Sequence, residues 1–137
     1  MEITAISSST THSAAVAAGA GFLLVAGFQV ALALGAPWGR AAWGGTHEGR
    51  LPRSLRIASG FAAVFWILAA SIPFARAGHE LIPVPSAVAR WGTWVLFGLS
   101  ALGAMMNLAS KSRLERLIWS PVSAILAALT LLVALSD

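Results

Sequence analysis

The chain contains no cysteine and no tyrosine, and only 10% of its 137 residues are charged. Without cysteine there is no disulfide framework, no thiolate nucleophile and no cysteine-ligated zinc or iron–sulfur site. Soluble domains carry about 25% charged residues, so the scarcity of charge excludes an ordinary water-soluble globule. Set beside a hydrophobic content of 58%, it also excludes a disordered tail, which needs low hydrophobicity. A nucleic-acid module, which needs a basic solvated face, is excluded on the same ground. The net charge of +4 comes from nine basic and five acidic residues, too few for a basic balance to name a partner.

What is present is apolar sequence organised in runs. Residues 14–36, 57–75, 91–109 and 117–135 are four stretches free of any charged side chain. A helix of about 19 residues, at about 1.5 Å rise each, measures roughly 28 Å and matches a hydrocarbon core of about 30 Å. In lipid every backbone N–H and C=O must be paired within its own segment, so each run is expected as a helix despite its glycines and alanines. No period-two alternation suggests strands. The expected fold is all-α: one membrane domain over residues 1–137, built as an integral membrane four-helix bundle.

Charge beside the runs sets the expected orientation. Arg40, Arg50, Arg53 and Arg56 lie in the first connection and Lys111, Arg113 and Arg116 in the third, against Arg76 and Arg90 on the other side. Basic residues are retained on the cytoplasmic side, so both termini and the second connection are expected outside. The start of the chain, with Glu2 and no Lys or Arg before the first run, lacks the positive region of a secretory signal, and the first run is expected to stay uncut. Gly35 ahead of Pro37 reads as a helix C-cap. Ser120 ahead of Pro121 reads as an N-cap with proline at the first helical position, leaving Leu117 and Pro121 as two starts for the fourth helix. Trp38, Trp43, Trp91 and Trp119 lie near run ends and read as an interfacial belt, whereas Trp66 and Trp94 lie deeper.

No Asp, Glu, Lys, Arg or His falls inside a run. Proton-coupled pumps depend on such groups, so that class is disfavoured. Small multidrug-resistance transporters share the four short spans, but their essential glutamate in the first span has no counterpart; the nearest polar residue is Gln29. Gln29 and Asn107 are the strongest polar side chains within runs. They are expected to make interhelical hydrogen bonds of about 0.6–2 kcal/mol or to line a solute path.

The first connection is the least generic segment. Its Trp38, Arg40, Trp43, His47, Arg50, Arg53 and Arg56, with Arg113 from the third connection, form the candidate binding surface for anionic lipid headgroups, a phospholipid or an isoprenoid phosphate. Each basic group near an anionic surface contributes about 1 kcal/mol. His47-Glu48 and His79-Glu80 fall on opposite sides and share no third ligand. His12 and His79 fall on one side, with no cysteine or aspartate beside them. No metal site and no cofactor is expected.

Leu34-Gly35-Ala36-Pro37-Trp38-Gly39, Trp43-Gly44-Gly45, Leu51-Pro52 and Leu55-Arg56, with Met106-Asn107, Ser110, Ser112, Glu115-Arg116 and Pro121, resemble a group of small bacterial four-helix integral membrane proteins. No activity comes with the resemblance. It implies a bacterial inner membrane, and it implies that the tryptophan-glycine connection and the Asn107–Arg116 segment form one surface. Three readings follow. The first is a non-enzymatic lipid-binding or accessory protein, alone, as a homo-oligomer or with a membrane partner protein. The second is an oligomeric small-solute transporter or channel with Gln29, Asn107 and Trp66 along its path. The third is an interfacial enzyme acting on a lipid or isoprenoid headgroup.

Overall fold

In the computed structural model, which describes residues 6–137, the chain forms four helices and no strand among the described residues. Met1–Ala5, and with them the charge of Glu2, lie outside the described residues. Helix α1 runs Ser8–Leu34, α2 Arg53–Arg76, α3 Ser86–Leu108 and α4 Ser120–Ala134. With the turn that precedes α4 included, all four are long and apolar enough to cross a membrane. The architecture is that of a multi-pass membrane protein.

Local chemistry places the ends. The Ser7 hydroxyl accepts the Thr10 N–H at 3.2 Å and caps α1. Gly35 closes the same helix at φ 101°, a left-handed conformation that suits glycine, and the Ala36 N–H reaches back to the Ala31 carbonyl at 2.9 Å. Pro73 stays inside α2 near its last turn.

The α-helical part of the fourth helix starts at Ser120 with Pro121 in its first turn, near the later of the two expected starts, but Ser120 is itself helical rather than a cap. Helical hydrogen bonding begins at Arg113, behind Ser112, whose hydroxyl accepts the Glu115 N–H at 3.2 Å. It then passes through a wide π-turn, Glu115–Trp119, in which the Ser120 N–H bonds the Glu115 carbonyl five residues back. Pro121 accounts for the widening: it has no N–H to donate, and its ring would strike the carbonyl four residues earlier.

The helices associate as two hairpins, α1 along α2 and α3 along α4, joined chiefly where α1 meets α4, less where α2 meets α3 and hardly at all where α2 meets α4. The tightest glycine contacts between helices lie from mid-bundle toward the end away from the arginine-rich connections. There a Cβ on Gly19 would stand 2.6 Å from the Phe74 ring, one on Gly21 2.5 Å from Leu126, and one on Gly92 2.7 Å from Ile72. These glycines let helices approach where little hydrophobic drive separates protein from lipid. Ala18, Phe22, Ala69, Ala70, Leu96 and Leu126 form the main buried cluster. At this end the Arg76 guanidinium binds Asp137 at 2.6 Å and the Val133 carbonyl at 3.1 Å. Large apolar side chains such as Phe61, Leu68 and Met105 face outward, as lipid-facing surfaces do.

Candidate functional site: a cavity within the bundle

Nearer the arginine-rich connections the bundle opens. A cavity of about 560 Å³ lies between the hairpins, within the range of ligand pockets. From α1, Phe22, Val25, Phe28 and Gln29 line it at helical spacing; from α3, Leu99, Ser100, Gly103, Met106 and Asn107 do so. Helix α4 and its π-turn add Glu115, Trp119, Ser123 and Leu126, and α2 adds Trp66. Trp43 and Gly44 of the first connection and Ser110 and Lys111 of the third close the end. Trp43, Leu99 and Met106 are 43%, 38% and 64% exposed. The rim is therefore open to the outside of the bundle, sideways along α3 and at Trp43.

The wall is largely aromatic and apolar, and of the lining side chains only Glu115 and Lys111 are charged. Phe22 stacks on Trp66 with centroids 5.5 Å apart and planes 6° from parallel, and Phe28 meets Trp119 at 4.5 Å. The Asn107 amide donates to the Ser123 hydroxyl at 3.3 Å. Three buried polar atoms have no partner among the described residues: Gln29 Oε1, Ser100 Oγ and Trp119 Nε1. All three belong to residues that line this cavity. The contrast with the other buried hydroxyls is sharp. Ser59 accepts the Trp43 indole N–H at 3.0 Å, Thr93 donates to the Ala89 carbonyl at 2.6 Å, and Ser120 donates to the Ala104 carbonyl at 3.0 Å. Ser71, Ser112 and Thr130 likewise donate to backbone carbonyls. Ser100, 4% exposed, does not.

The first and third connections meet over the cavity end. Ser112 Oγ donates to the Arg40 carbonyl at 2.5 Å, and the Gly44 N–H donates to Glu115 Oε1 at 3.0 Å. The Ser110 hydroxyl donates to the other oxygen of the same carboxylate. Glu115, 8% exposed, thus joins the two connections through both its oxygens.

The residues singled out by sequence divide between this cavity and the outer surface. Gln29, Asn107 and Trp43 line the cavity together; Gln29 and Asn107 do not bond each other, since Asn107 pairs with Ser123. Trp38 and Arg40 border a separate shallow cleft on the other face of the first connection, where Arg40 pairs with Glu48 at 2.7 Å. That pair is exposed and contributes about 0–1 kcal/mol. His47 accepts or donates to Thr46 at 3.1 Å on the surface, and Arg53 and Arg113 are exposed. Arg56 Nε donates to the Ala33 carbonyl at 3.1 Å, and a Cβ on Gly35 would stand 2.8 Å from Arg50 Nε. Arg56 thus serves the carbonyl end of the antiparallel neighbour α1, where positive charge is favourable, and the exposed Arg50 lies beside Gly35 at the same end. At the far end the His12 and His79 rings meet edge to face at 5.5 Å, with no third metal-binding group beside them among the described residues.

Trp119 departs from its expected place in the interfacial belt, because the π-turn rotates it inward onto Phe28. Ser100, Ser123, Glu115 and Lys111 were not among the candidate binding residues; Lys111 entered only through the charge asymmetry and Glu115 only through the resemblance. The spacing of Ser100, Gly103 and Asn107, a small and polar stripe down one face of α3, was the available signal. Comparisons of the chain with protein-family models, with curated protein sequences and with solved structures each gave no match.

Proposed function

We propose that the protein is a non-enzymatic binding protein of a bacterial cytoplasmic membrane, holding a small amphipathic membrane molecule in the cavity between its two hairpins. The observation that carries this reading is that three residues bearing an unpartnered buried polar atom, from three separate segments, all line one cavity. A buried donor or acceptor left unmade costs about 1–3 kcal/mol. Three of them weigh heavily against a net stability of about 5–15 kcal/mol, and an occupant bearing hydrogen-bonding groups offsets that cost.

The sideways rim supports a ligand that arrives from the bilayer. The polar lining ends at Phe22, Trp66 and Leu126, beyond which Gly19 and Gly21 admit Phe74 and Leu126. That closed half favours a binding site over a conduction path through one chain. Seven basic residues against two support an orientation with the cavity end cytoplasmic and both termini outside. The exposed Arg53 and Arg113 support contact with anionic headgroups around that end.

Native mass spectrometry of protein extracted gently from its own membrane tests the reading, with wild type compared against Ser100→Leu, which fills the cavity, and Arg53→Ala, which lies outside it. The expected result is a co-purifying mass on wild type and Arg53→Ala that is absent from Ser100→Leu. A bare wild-type protein, or a mass that follows Arg53 rather than Ser100, overturns it.

A further inference from the structure

The chemistry of the cavity names a class of ligand, an inference that rests on the cavity being a binding site. We propose that the ligand is an isoprenoid quinone in its reduced, quinol form, its neutral ring held in the cavity by its two hydroxyl groups and its tail leaving past Leu99 and Met106 of α3 into lipid.

Charge makes the first selection. Both oxygens of Glu115 are already engaged, by Gly44 and Ser110, so no free carboxylate awaits a cation. Lys111, the one basic side chain on the wall, is exposed at the rim. A phosphate drawn inside would be desolvated without a buried counter-charge, which is costly. Arg53 and Arg113, which would suit it, lie elsewhere.

The unpartnered atoms make the second selection. Gln29 Oε1 needs a donor, Trp119 Nε1–H needs an acceptor, and Ser100 Oγ takes either role. A quaternary ammonium would suit the aromatic wall yet leave all three unmet. A saturated alcohol brings one oxygen. A hydroquinone carries an oxygen on each side of its ring, each able to donate and accept, so a single head has the donors and acceptors that the set calls for.

Shape makes the third. The stacked Phe22–Trp66 pair and the Phe28–Trp119 contact offer flat apolar surfaces to a planar ring, in the offset or edge-on arrangements that aromatic groups prefer. The apolar rim of Leu99 and Met106 suits an isoprenoid tail.

The test uses purified full-length protein in lipid nanodiscs titrated under reducing conditions with decylubiquinol, read by quenching of tryptophan fluorescence, since Trp66 and Trp119 border the site. Saturable quenching is expected for wild type. Binding about tenfold weaker is expected for Ser100→Ala and for Trp119→Phe, each of which removes one hydrogen bond while keeping the wall. Arg53→Ala is expected to bind as wild type, and circular dichroism confirms that each variant is folded. Quenching that never saturates, or that is identical in all variants, reports only partition into lipid and overturns the quinol assignment. In that event a diacylglycerol found by mass spectrometry on wild type but not on Ser100→Leu leaves the cavity a binding site with another occupant. Neither ligand bound overturns both readings.

Discussion

Replacing Glu115 removes the one side chain that joins the two connections through both its oxygens. In Glu115→Ala the Gly44 N–H and the Ser110 hydroxyl lose their acceptor. A hydrogen bond to a charged group contributes about 1.5–3 kcal/mol. Gly44 is half-buried, so water recovers part of its share, and the Trp43–Ser59 and Ser112–Arg40 bonds still hold the connection. The net loss is expected at about 2–4 kcal/mol. Glu115→Gln keeps a carbonyl for Gly44 and turns an amide N–H toward the Ser110 oxygen, so its loss is expected near 1 kcal/mol.

Equilibrium unfolding in mixed micelles, followed by helical circular dichroism, measures both variants. A second readout separates local from global effects: the Gly44 amide should exchange with solvent more than about tenfold faster in Glu115→Ala, since about 1.4 kcal/mol corresponds to tenfold. Pairing Glu115→Ala with Ser110→Ala should give a coupling of about 1 kcal/mol. A Glu115→Ala protein within about 0.5 kcal/mol of wild type, or a Glu115→Gln protein as weak as Glu115→Ala, refutes the account of Glu115 as the acceptor that joins the two connections.

Two further expectations follow from geometry. Gly39→Ala would place a Cβ 2.2 Å from the His47 carbonyl oxygen, backbone that has no room to yield, so the first connection should refold locally at a loss of about 2–3 kcal/mol. Gly27→Ala meets nothing within 4 Å and should be neutral or stabilising in the same unfolding assay. For orientation, single cysteines at Thr46 and Lys111, both exposed, should resist an impermeant thiol reagent added to intact cells, whereas cysteine at Gly78 should react. Labelling of Thr46→Cys from outside would reverse the assigned orientation.

The four helices were legible in the sequence because the bilayer makes a local demand. A run near 20 residues without charge must pair its own backbone, and no distant contact is needed to say so. The Gly35 cap and the asymmetry of Arg and Lys were readable for the same reason, since each depends on residues adjacent in the chain. Gln29 and Asn107 stood out because amides are rare in apolar runs. What the sequence left open was every relation between segments. Pro121 announced a perturbed helix start and accounts for the π-turn, but the partner that Trp119 then meets, Phe28 of α1, depends on how α4 packs against α1. Ser100 looks like any small residue of a packing face until its neighbours leave it without a partner, and Glu115 looks like a surface charge until Gly44 and Ser110 close on it. Arg56 read as a contact for lipid because the carbonyl end of α1 that receives it is distant in sequence and near only in the folded hairpin. Hydrophobic length is a property of a segment, whereas a cavity is a property of the space between segments, and only tertiary packing creates it.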